Sequence, residues 1–76
     1  MQDVKFNEIT QERFDAMISW SREHFGRNAL WQQQVDSGNS RWFAAVNIPR
    51  NEETGRARFV FKNNEDATMF ALRWSS

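Results

Sequence analysis

With only two leucines in 76 residues, Leu30 and Leu72, this chain has to build its core from aromatic rings. Seven phenylalanines and four tryptophans are available for it. Folding at this length buries only about 60% of the surface of the unfolded chain, so each ring has to cover a large area. One domain over residues 1–76 is the expected organisation. The chain has no cysteine, which removes disulfides, thiolate metal sites and thiol chemistry, and permits a reducing compartment; a cytoplasmic location is expected. Ten basic and ten acidic residues cancel, a balance that disfavours a protein whose main work is coating nucleic acid or an anionic membrane. Residues Met1 to Thr10 alternate polar and apolar side chains and lack the apolar stretch of a secretory signal. No apolar run approaches the roughly 18 residues of a membrane span, so no membrane partner is expected.

Periodicity divides the chain into six elements. Val4 to Glu8 alternates as a half-buried strand. Thr10 offers an N-cap to a helix from Gln11 to Phe25, where Phe14, Met17, Ile18 and Phe25 recur at helical spacing and Gly26 follows as a C-cap. Leu30 to Val35 reads as a weaker strand diluted by three glutamines, and Asp36 to Ser40 as a turn. Arg41 to Ile48 is a strand closed by Pro49, and Asn51 to Gly55 a solvated loop. Ala57 to Lys62 is the last strand, with Phe59 and Phe61 on one face and Arg58, Val60 and Lys62 on the other. Asn63 or Asn64 caps a final helix that runs to about Trp74, its first turn acidic at Glu65 and Asp66.

The order β-α-β-β-β-α predicts an α+β two-layer sandwich: an antiparallel sheet of three to four strands with two helices on one face. Its expected core is Val4, Phe6, Phe14, Ile18 and Phe25 from the first half, with Trp42, Ala44, Val46, Phe59, Phe61, Phe70 and Trp74 from the second.

No pattern of residues points to catalysis. His24 is the one histidine, and Ser21 lies a helical turn before it without an orienting acid or oxyanion hole; a capping or surface role is expected. Glu52-Glu53 and Glu65-Asp66 are adjacent pairs whose side chains diverge. Neither a metal-ligating cluster nor a phosphate-cradling glycine loop is present in the sequence, so no cofactor and no metal are expected. The expectation is a protein that is not an enzyme.

Two surfaces stand out instead. On the final helix Ala67, Phe70, Ala71 and Trp74 form one stripe, leaving Met69 and Leu72 on the other side flanked by Arg73. Trp20 falls off the apolar stripe of the first helix. Trp20, Met69, Leu72 and Arg73 are therefore the expected protein interface, serving a protein partner or a homo-oligomer. The second surface is the sheet face opposite the helices, where Arg41, Phe43, Arg58 and Lys62 fall together as a platform for single-stranded nucleic acid.

Gly55 to Phe61 (GRARFVF), followed by Glu65-Asp66-Ala67, resembles the third strand and second helix of an RNA recognition motif, with Arg56 and Arg58 standing where that family carries stacking aromatics. The segment from Phe61 to Ala67 (FKNNEDA), with Phe70, Leu72 and Trp74 after it, is similar to the tails of small uncharacterised accessory proteins of large tailed bacteriophages. That resemblance implies a protein acting in the cytoplasm of an infected bacterium by binding a host or viral protein. The function expected is a non-enzymatic protein-interaction module, and the alternative is a weak binder of single-stranded nucleic acid.

Overall fold

The computed structural model describes residues 2–27, 29, 35 and 40–74. Among the described residues it is α+β, with a three-stranded antiparallel sheet of order β1-β3-β2 and two helices packed on one face of it. The strands are β1 (Gln2–Thr10), β2 (Trp42–Asn47) and β3 (Thr54–Phe61); the helices are α1 (Gln11–Phe25) and α2 (Asn64–Trp74). No described helix is long and apolar enough to cross a membrane.

Helix α1 has the predicted ends. The Thr10 hydroxyl accepts from the Arg13 amide, and Gly26 stops the helix at φ 85°, a conformation glycine takes without steric penalty, while its N–H bonds the Arg22 carbonyl. The indole N–H of buried Trp42 donates to the Gly26 carbonyl at 2.9 Å, tying the end of α1 to the start of β2.

Every expected core residue packs into one cluster between helices and sheet. Phe59 is its centre, with Phe70 at 4.5 Å between ring centroids, Phe14 at 5.5 Å, Phe6 edge-on at 6.2 Å and Trp42 stacked at 6.4 Å. Phe70 also meets Phe61 at 5.2 Å, so one ring of α2 covers two of β3.

β1 and β3 are longer than alternation alone implies, whereas β2, expected over Arg41 to Ile48, is shorter by one residue at each end. β1 pairs with β3 as far as Thr10↔Thr54, after a register shift between Phe6 and Ile9. The irregularity inserts a residue, so Ile9 joins Phe6 in the same core although their numbers differ in parity. Thr54 and Gly55, expected in a solvated loop, begin β3 instead; Gly55 is buried where β3 passes the end of β2. A Cβ there would run into the Asn47 carbonyl and lie 2.6 Å from the Ile48 Cα, which is why the position takes glycine.

The predicted strand over Leu30 to Val35 and the turn over Asp36 to Ser40 fall mainly outside the described residues. Val35 itself is helical and buried. The Ala29 amide bonds the Trp42 carbonyl at 2.8 Å, and Ala29 and Val35 pack with Val60 and Phe43 on the sheet face away from α1 and α2. Val60, expected on an outward face, is consequently 0% exposed, and that face is covered at this end.

Candidate functional site

Helix α2 presents two chemically different sides. Asp66, Ala67, Phe70 and Trp74 are buried, whereas Met69 is 49% and Leu72 76% exposed, the large exposed apolar side chains among the described residues. Glu65 and Arg73 stand four residues before and after Met69, so Glu65, Met69 and Arg73 form one ridge along the helix, with Leu72 beside it. The Arg73 guanidinium lies 4.4 Å from the Trp74 ring centroid and is held beside the apolar patch. Arg13 approaches the same ring from α1 at 5.5 Å and donates to the Trp74 carbonyl, fixing the end of α2.

Trp20 lies elsewhere. Half-buried in the seam between the helices, it stacks on His24 at 4.1 Å and meets Phe25, Phe70 and Trp74. Its ring closes the core, and the expected interface reduces to Met69, Leu72 and Arg73. His24 is exposed, with Nδ1 2.8 Å from the Trp20 carbonyl, and Ser21 is fully buried, so the two share no site. Among the described residues no three His, Cys, Asp or Glu side chains gather to hold a metal.

The predicted nucleic-acid platform is not assembled as expected. Arg41 swings to the helix side, where its Nε and Nη2 donate to the two carboxylate oxygens of Asp66 at 3.0 and 2.8 Å and its guanidinium lies over Phe25. Asp66 is responsible: a carboxylate buried in the first turn of α2 needs a counter-charge, and Arg41, just before β2, can reach it. Phe43 is half-buried against Ala29, Val35 and Val60. Lys62 is exposed one residue past β3, its amide bonded to the Arg41 carbonyl. Arg58 alone remains on the open part of the sheet.

There it has neighbours that strand periodicity alone does not reveal. Pairing sets Lys5 and Ala45 on either side of Arg58, and Asn47 beside Arg56. Together with Asn7 these residues border a cavity of about 340 Å³. The signal in the sequence was the alternation Arg56, Arg58, Val60; Lys5 joins them only because β1 pairs with β3.

Comparisons with protein-family models, curated proteins and solved structures found no match for this chain.

Proposed function

We propose that this is a non-enzymatic protein-interaction module whose contact surface is the outward side of α2 and whose partner is a second copy of the chain. The exposure of Leu72 beside Met69 carries the proposal. Large exposed apolar groups on a small domain mark contact surfaces when they adjoin, and an isologous pair buries the same patch on both molecules. Charge complementarity favours self-pairing. In an antiparallel crossing of two α2 helices centred on Met69, Glu65 of each copy falls opposite Arg73 of the other. Rim pairs of this kind set orientation and contribute only about 0.2 to 1 kcal/mol each. Two apolar side chains make a small interface, below about 1,200 Å² in total, so the dimer is reversible and weaker than micromolar.

Sedimentation across a concentration series tests this. A monomer–dimer equilibrium is expected for the native chain and a monomer for Leu72→Glu, with unchanged far-UV circular dichroism. Glu65→Arg should weaken the dimer, and the exchange Glu65→Arg with Arg73→Glu should restore it. A native chain that stays monomeric at about millimolar concentration overturns self-association.

A further inference from the structure

We infer that the free edge of β2 binds an extended peptide of a partner protein, which adds to the sheet as a further strand beside α1. In the order β1-β3-β2 both outer strands are edges. Natural edges guard their unpaired backbone with charges or proline. β1 carries Asp3, Lys5 and Glu8, whereas β2 (WFAAVN) has neither a charged residue nor a proline. Its backbone faces outward at alternate residues. The Arg41 carbonyl accepts from the Lys62 amide beside β3, and the Trp42 carbonyl turns the other way to accept from Ala29. Ala44 and Val46 share the parity of Trp42, so each points its N–H and C=O away from β3. Among the described residues nothing bonds these groups. Ala29 closes the edge at Trp42 and leaves it open from Ala44 onward.

The surroundings of the edge define the peptide. A groove of about 430 Å³ lies between α1 and β2, lined by Phe14, Asp15, Ile18 and Arg22 of the helix and Ala44 of the strand. In an antiparallel addition the peptide residues opposite Ala44 and Val46 turn their side chains to the helix side, as those two residues do. Phe14, Ile18 and Ala44 make an apolar floor, so the residue opposite Ala44 is aliphatic. Because the Trp42 indole bonds the Gly26 carbonyl at the end of α1, the helix runs antiparallel to β2 and its earlier residue Asp15 lies towards Val46. Asp15 is exposed and accepts from the neutral Gln11 amide at 2.9 Å, whereas Arg22 is already engaged. The residue opposite Val46 is therefore basic. From its N-terminus the peptide reads Lys or Arg, any residue, then an aliphatic residue. A second copy of the chain fits less well. Edge-to-edge pairing sets the two β2 strands about 4.8 Å apart and crowds two α1 helices, each packed on its own β2, which need about 8 to 10 Å between axes.

Fluorescence anisotropy with a labelled, end-blocked peptide, Ser-Thr-Lys-Thr-Val-Thr-Ser, tests the inference. Saturable binding is expected below about millimolar protein. Methylating the amide nitrogen of the peptide's valine, whose N–H faces β2, should abolish binding, and methylating that of the threonine before it, whose N–H faces away, should not. Asp15→Asn should weaken the lysine peptide about two- to fivefold and leave its glutamine counterpart unchanged. Ala44→Pro removes an outward donor that β3 does not use, so it should keep native circular dichroism and lose the peptide. Absence of binding at about millimolar protein overturns the inference, as does equal binding of the two methylated peptides. So does full affinity in a folded Ala44→Pro chain, or equal affinity for a peptide with glutamate in place of lysine. A Leu72→Glu chain that still dimerises, and turns monomeric when Ala44→Pro is added, would assign the edge to a second copy and overturn the peptide.

Discussion

Ser21 and Trp74 each bury a polar side-chain atom that finds no hydrogen-bond partner among the described residues, and Ser21 is the simpler case. It lies in the buried face of α1 with Phe14, Met17 and Phe25, and its Oγ finds no partner among the described residues. A buried hydroxyl without a hydrogen bond loses its hydration and gains nothing in return. Ser21→Ala removes that group and improves helix propensity, so it should raise stability by about 1 kcal/mol, moving the thermal midpoint up by about 4 to 8 °C. A lower midpoint by calorimetry would show that the hydroxyl is bonded after all. Gly55 is the opposite case. With the Asn47 carbonyl in the space a methyl group would need, Gly55→Ala forces backbone to move and should destabilise by more than about 2 kcal/mol in a denaturant titration. Both effects come from what surrounds the residue. A serine in a helix and a glycine after a polar loop look ordinary in the chain, and nothing local marks the first as buried or the second as crowded.

Between elements, the Arg41–Asp66 pair joins the start of β2 to the first turn of α2. The two partners differ in exposure, 50% for the Arg41 side chain and 7% for that of Asp66, so their substitutions are not equivalent. Arg41→Ala leaves a buried carboxylate without its counter-charge and should cost about 2 to 3 kcal/mol. The double variant Arg41→Ala with Asp66→Ala should lose less than the sum of the singles, by about 1 to 2 kcal/mol in a double-mutant cycle; additive losses would remove the pair as a clamp. Helices α1 and α2 were legible because their periods, Thr10 and Gly26 are local signals. The extent of β1 was not. Glu8 stands where the alternation of Val4 and Phe6 would put an apolar side chain, and parity assigns Ile9 to the outer face until the register shift against β3 turns it into the core. Arg41 was misplaced for a related reason. Strand parity sets a side chain's face only within a strand, and Arg41 stands just before β2.

For the molecule as a whole, stability rests on the aromatic cluster that Phe59, Phe61 and Phe70 tie together. Phe61→Ala should cost about 3 to 5 kcal/mol, a large part of the stability of a domain this small, and at about 4 to 8 °C per kcal/mol the midpoint should fall by at least about 12 °C. A variant melting with the parent would place Phe61 outside the core. The sequence by itself determined the α+β class, the ends of α1, the inward faces of β2 and β3 and the division of α2 into a core side and an outer side carrying Met69 and Leu72. These follow from the 3.6 and 2.0 residue periods of helix and strand, which the backbone imposes wherever the element lies. Tertiary structure alone decided that β3 is central, that Lys5 lies beside Arg58, that Ala29 and Val35 cover Val60 and that Asp66 claims Arg41. Each depends on which distant segments meet. That choice minimises a sum over non-local contacts, from buried area to counter-charge, that no window along the chain contains.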